Sequence, residues 1–262
     1  MNHGFQRFLQ TWFDSKPGQV VFKQEKKLLE KVLPNKFGYY LVQLGCVSKS
    51  SLFQSSRISQ KILIDSRAKF CLPQELADEH VQMVLSDFDF LPLSRDSIDL
   101  VLLPHSLETV DDPHYLLRQV DNMLLGEGYV VITGFNPAGC LPFRFKFLAR
   151  DFGFSKAKYH RASKVREWLR VLGFEVEETH YTSVMCFSSN EKYKRWAGFI
   201  EKIERFLQWF GFEFGNVYCI VAKKKVDAPT LVGMKWHLPR WKKARNGSVA
   251  SQRLKSQRTQ SD

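Results

Sequence analysis

The chain has 262 residues, 44% of them apolar, 14% aromatic and 25% charged, a balance that supplies one sizeable core and excludes disorder throughout. No stretch reaches the roughly 18 apolar residues of a membrane span, and Met1 to Gln10 lacks the basic head and apolar run of a secretion signal, so a cytoplasmic protein is expected. Five cysteines without a CxxC pair speak against a disulfide framework or zinc knuckle, and the net charge of +12 is mostly terminal: Lys223 to Asp262 holds eleven Lys or Arg against two Asp.

In chain order, Phe5, Phe8, Leu9, Trp12 and Phe13 fall at helical spacing, and Leu28, Leu29, Val32 and Leu33 mark a second amphipathic helix. Pro17-Gly18 is the predicted break between them, and Pro34-Asn35 ends the second. Tyr39 to Leu44 then reads as a buried strand. Lys61–Asp65, Val81–Leu85, Ile98–Leu103 and Tyr129–Thr133 repeat that pattern, with room for helices or crossovers between them. Asp112-Pro113 opens a helix with a capping side chain and a proline in its first turn; Leu116, Leu117, Val120, Met123 and Leu124 share one face, and Gly126 is the expected stop.

A further helix runs from Ser163 to Leu172 and stops at Gly173, followed by a strand over Glu175–Tyr181. A long helix over Asn190–Phe210 and a last strand over Val217–Ala222 complete the periodic part. The expected architecture is a doubly wound α/β domain with a mostly parallel sheet of seven strands and added helices. The divisions are a helical cap over residues 1–36, the α/β domain over 37–225 with a helical insertion near 190–212, and a basic tail over 226–262 expected to be largely disordered.

In such a sheet the ligand site lies beyond the carboxyl ends of the strands. Gly45, after the first strand, allows a close turn past a ligand or simply a turn. Asp65 ends the second strand twenty residues later, where a carboxylate accepts hydrogen bonds from ribose hydroxyls, or caps a turn. Asp87 and Phe88 end the third, a carboxylate and an aromatic that suit an adenine ring or a plain turn. His80, His114, His160 and His180 show no metal-ligand spacing, and no metal is expected.

The run from Asp87 to Pro137 adds Leu91-Pro92-Leu93, Asp99-Leu100-Val101, His105, Leu107-Glu108, Asp112-Pro113 and Leu125-Gly126-Glu127-Gly128. Together these resemble the class I S-adenosylmethionine-dependent methyltransferases of type 11, and Ser163 to Glu175 extends the likeness, so that it covers roughly residues 37 to 224. The family's first motif resembles [DE]-x-G-x-G-x-G; aligned on Gly45, this chain has Gln43 for the acid and Val47 and Lys49 for the later glycines.

The resemblance implies S-adenosylmethionine as cofactor. Gln43 and Gly45 would border its methionine part, Asp65 the ribose, and Asp87 with Phe88 the adenine. Pro104 and His105 would face the sulfonium and the acceptor. His105 is the candidate general base, since an imidazole pKa near 6.5 suits proton removal at neutral pH, with a packing histidine as the competing reading. A small acceptor is expected to enter on the aromatic-rich side built by the N-terminal helices, the Phe135–Phe154 connection and the Asn190–Phe210 helix. The altered first motif also suits an inactive homologue serving as a binding or regulatory protein. The tail, with Trp236 and Trp241 among its basic residues, suits RNA, an anionic membrane surface, or no specific partner.

Overall fold

The computed structural model describes residues 3–48, 52–66, 81–139, 158–183 and 215–226. The expected helix over Asn190–Phe210, most of the Phe135–Phe154 connection, Lys49 and the tail from 227 onward lie outside these residues.

Helices α1 (His3–Phe13) and α2 (Lys16–Val32) precede strands β1 (Tyr40–Leu44), β2 (Gln60–Asp65), β3 (Val81–Leu85) and β4 (Ile98–Pro104). Then follow α3 (Pro113–Met123), β5 (Leu124–Phe135), α4 (Ala162–Val171), β6 (Phe174–Tyr181) and β7 (Val217–Lys224). The seven strands form one sheet in the order β3-β2-β1-β4-β5-β7-β6, as the doubly wound expectation requires. β1 to β5 pair in parallel, and β7 runs antiparallel to both β5 and β6.

Alternate side chains on the central strands feed two cores, because successive residues of a strand point to opposite faces. Leu41, Leu100, Leu102, Val131 and Cys219 pack with Phe5, Leu9 and Phe13 of α1 and Val21 and Leu29 of α2. Val42, Leu44, Val101, Leu103, Val130 and Ile220 pack with Leu116 and Val120 of α3 and Val165 and Leu169 of α4. Full burial of each such side chain stabilises by about 1.5–3 kcal/mol.

Two predicted boundaries move. The break between the first helices falls at Asp14 and Ser15: Ser15 Oγ accepts from Gly18 N at 3.3 Å, so Pro17 and Gly18 belong to the first turn of α2. Gly18 is needed there for closeness, since a Cβ would meet the Trp12 carbonyl oxygen. Likewise α3 ends at Met123 and not at Gly126, because Leu124 already pairs with Ile98 as the first residue of β5. The register then jumps to Leu100 opposite Tyr129, an irregularity within β5 at which Glu127 takes φ 68°.

The chain leaves β1 for β2 and β3 on one side of the sheet and returns to β4 on the other side of β1. The crevice at this reversal of strand order is where open α/β sheets bind ligands. No helix among the described residues is long and apolar enough to cross a membrane.

Candidate cofactor site

Gly45, Phe88 and Pro104, three of the sequence-predicted residues, border one cavity where β1 and β4 end, and Asp65 at the tip of β2 is hydrogen-bonded to two other residues of its lining. Gly45 adopts φ 91°, a left-handed conformation that favours glycine, and donates its N–H to Ile64 O at 2.8 Å. Ser106 Oγ ties the loop after β4 to the end of β1 by donating to Leu44 O at 2.5 Å. Between these loops lies a cavity bordered by Gly45, Cys46, Val47, Phe88, Pro104, Ser106 and Thr109, with Gln6 and Leu9 of α1 as its roof. Its volume is about 10 Å³, room for about one water.

Asp65 is buried at the tip of β2, and its Oδ2 accepts from Cys46 N and from Gln6 Nε2, each at 2.9 Å. Gln10 Nε2 donates to Cys46 O at 2.8 Å. Gln43 Nε2 donates to Gly45 O at 2.8 Å, while its Oε1 is buried with no hydrogen-bond partner. Asp87 Oδ1 is buried and unpartnered in the same way. Phe88 is 1% exposed, and its ring tip would lie 3.3 Å from a Cβ at residue 45. The ring therefore packs over Gly45 as part of the core instead of presenting an open stacking face. Val47, at a position where the family motif has glycine, walls the cavity with its side chain.

His105 stands elsewhere than expected. Between two cavity residues, Pro104 and Ser106, its φ of 53° directs the fully buried ring away from the cavity and against Phe13 and Phe135, at centroid distances of 5.4 and 4.2 Å. Nδ1 lies 3.0 Å from Glu108 Oε2 and Nε2 lies 3.5 Å from Glu25 Oε2. Thr133 Oγ1 donates to Glu25 Oε1 at 2.5 Å, and Phe135 N donates to Glu108 Oε1 at 2.6 Å. Burial alone pulls the imidazole pKa down, but the carboxylates of Glu25 and Glu108 together outweigh it and hold the value up at about 10. Burial also raises the Glu108 carboxyl above its ordinary range, against the attraction of His105 and the Phe135 N–H. A histidine already protonated at neutral pH and flanked by two carboxylates is a poor proton acceptor for a substrate.

A second hollow, about 560 Å³, opens on the α1–α2 side and is bordered by Phe13, Phe22, Lys23, Lys26 and Ser48. Its size is that of a small-molecule site. Ser48 follows Val47 of the first cavity, so the two spaces flank one loop. Among the described residues, no group of three His, Cys, Asp or Glu is placed to hold a metal ion.

Sequence reasoning passed over Gln6, Gln10 and Glu25. Glu25 sits with Val21 and Leu29 at i±4 on the buried stripe of α2, a signal that it faces the sheet despite its charge. Gln6 and Gln10 have the same spacing beside the apolar stripe of α1.

The strand order with an antiparallel β7, and the crevice between β1 and β4, are those of the Rossmann-like methyltransferase fold. Residues 43–132, about a third of the chain, match the model of the type 11 family of methyltransferase domains. A protein of Escherichia coli (strain K12), the uncharacterized protein YafS, is 26% identical over 166 residues, which are 63% of this chain and 65% of that protein. The chain thus spans less than two thirds of that relative's length. Among solved structures, an S-adenosylmethionine-dependent methyltransferase of Thermotoga maritima superposes with a TM-score of 0.62 at 20% identity, over 86% of this chain and 99% of that one. A Haemonchus contortus phosphoethanolamine N-methyltransferase, solved with phosphomonomethylethanolamine and S-adenosylhomocysteine, gives 0.55 at 16% identity, over 78% of this chain and 53% of that one.

Proposed function

We propose that the protein transfers a methyl group from S-adenosylmethionine to a small acceptor. The observation that carries this reading is a pair of buried acceptor oxygens without protein donors, Gln43 Oε1 at the end of β1 and Asp87 Oδ1 just past β3. Buried polar atoms are rarely left unsatisfied, and each such atom calls for a partner. The cofactor has two groups of the required kind, an ammonium and an adenine amino group. Asp65, at the tip of β2, has the position and the charge to accept from ribose hydroxyls.

The donor and acceptor set therefore fits the cofactor, although the space beside it is small in this conformation. When bound, S-adenosylmethionine supplies a methyl group activated on a sulfonium. The residues of this chain orient and enclose it: Gly45 keeps the backbone close, Pro104 and Val47 form walls, and Asp65 fixes the ribose. Alignment of donor and acceptor is the main catalytic requirement, and such positioning contributes about 7–11 kcal/mol. The acceptor reaches the site from the hollow bordered by Phe13, Phe22 and Ser48. His105 serves as a positioning residue, clamping α2 to the loop after β4.

Photolabelling of the full chain with methyl-tritiated S-adenosylmethionine tests this. Labelling that S-adenosylhomocysteine competes away and that Asp65→Ala diminishes is expected. Absence of competable label in the folded protein would leave a methyltransferase fold without methyl-donor binding.

A further inference from the structure

The helix that roofs the cofactor cavity does so through hydrogen bonds that a ligand would itself make. Gln6, on the first turn of α1, gives an amide N–H to Asp65 Oδ2 at 2.9 Å. One turn later, Gln10 gives an amide N–H to Cys46 O at 2.8 Å, and Leu9 between them closes the wall. Asp65 is the carboxylate placed to receive ribose hydroxyls, which are donors just as the amide is. Gln6 thus stands as a donor at the ribose position with Gln10 holding the helix beside it, and the space next to them holds about one water.

We propose that α1 is a ligand-displaced plug. Gln6 occupies the hydrogen-bond position at Asp65 that a ribose hydroxyl of the cofactor would take, Gln10 latches the helix to the Cys46 carbonyl beside it, and entry of the cofactor requires the first turns of α1 to withdraw. This inference rests on the reading of the site given above. Eleven residues make a helix that is marginal without tertiary contacts, so what holds α1 in place beyond these hydrogen bonds is the burial of Phe5, Leu9, Trp12 and Phe13, and cofactor binding must offset the exposure of Phe5 and Leu9 when the first turns withdraw. Withdrawal exchanges one donor for another at Asp65, so the carboxylate is never left unpaired. The closed form lowers the apparent affinity by the fraction of molecules in which the plug is out.

The sign of the effect separates a plug from a clasp. If α1 competes with the ligand, removing its donors tightens binding; if α1 closes on the ligand, removing them loosens it. Titration of the full chain with S-adenosylhomocysteine is expected to give affinity about tenfold higher for Gln6→Ala and for the half-buried Gln10→Ala than for the wild type. Hydrogen exchange on the wild-type protein gives a second readout that needs no variant: amides of residues 3–13 exchange faster when S-adenosylhomocysteine is added. Unchanged or weaker affinity in both variants, or protection of α1 by the ligand, overturns the plug and leaves the cofactor reading intact. Failure of all three folded proteins to bind overturns the cofactor reading, and the plug with it.

Discussion

Nδ1 of His105 lies 3.0 Å from Oε2 of Glu108, three residues along the chain, with both side chains essentially out of solvent. On the ring's other side Glu25 approaches from α2. One imidazole thus joins a helix on one face of the sheet to the turn after β4, the turn that also supplies Ser106 and Thr109 to the cavity beside Gly45. The left-handed backbone at His105 sends neighbouring side chains to different surroundings.

Because the folded pKa of His105 is raised from 6.5 to about 10, its contribution to stability is complete below pH 6.5 and is lost as pH rises toward 10. The unfolding free energy therefore falls across this window with a slope approaching about 1.4 kcal/mol per pH unit. Denaturant titrations at several pH values are expected to show the slope in the wild type and to lose it in His105→Asn.

Glu25→Ala removes the carboxylate that His105 and Thr133 both face. Its deletion leaves the Thr133 hydroxyl without this acceptor and His105 with Glu108 as its remaining carboxylate, at a cost of about 1–3 kcal/mol. Urea unfolding at neutral pH is expected to show a loss of this size, with a smaller loss in Glu25→Gln, which keeps an acceptor for the Thr133 hydroxyl.

Asp112 caps α3 by accepting from His114 N at 2.9 Å and Tyr115 N at 3.1 Å. Asp112→Ala is expected to cost about 1 kcal/mol. Asp112→Asn, which retains a capping oxygen, should unfold near the wild-type midpoint.

Gly45→Ala places a Cβ 3.3 Å from the Phe88 ring on a backbone of φ 91°. The left-handed conformation costs an L-residue about 1–2 kcal/mol, and the ring must shift toward the cavity. Thermal unfolding is expected to show the loss of stability, and S-adenosylhomocysteine titration a loss of affinity.

Much of this was legible in the residues alone. Short apolar runs located six of the seven strands, the central ones because they are buried on both faces; the edge strand β6 was placed by the helix stop at Gly173 before it, and Asp112-Pro113 located the start of α3 because capping is a local event. Gly45, Asp65 and Phe88 were singled out because strand ends define the crevice, and Pro104 through the family resemblance. The rest depends on long-range packing. Periodicity showed that α1 buries a face, but not that Gln6 reaches Asp65, 59 residues away. Similarly, the orientation of His105 depends on a left-handed φ that is unusual outside glycine, and on Glu25, whose charge disguised its place on the buried stripe of α2. Leu124 shows local signals being overridden: pairing with Ile98 starts β5 two residues before the glycine that marked the expected helix stop.

If the crevice between β1 and β4 holds S-adenosylmethionine through Asp65, as proposed, calorimetric titration of the full chain with S-adenosylhomocysteine, run beside Asp65→Ala, is expected to show saturable one-to-one binding in the wild type that weakens at least about tenfold when the carboxylate is removed, through loss of charged hydrogen bonds. Absence of heat and of any thermal shift in the folded wild type, or equal affinity in the two proteins, would contradict the proposal.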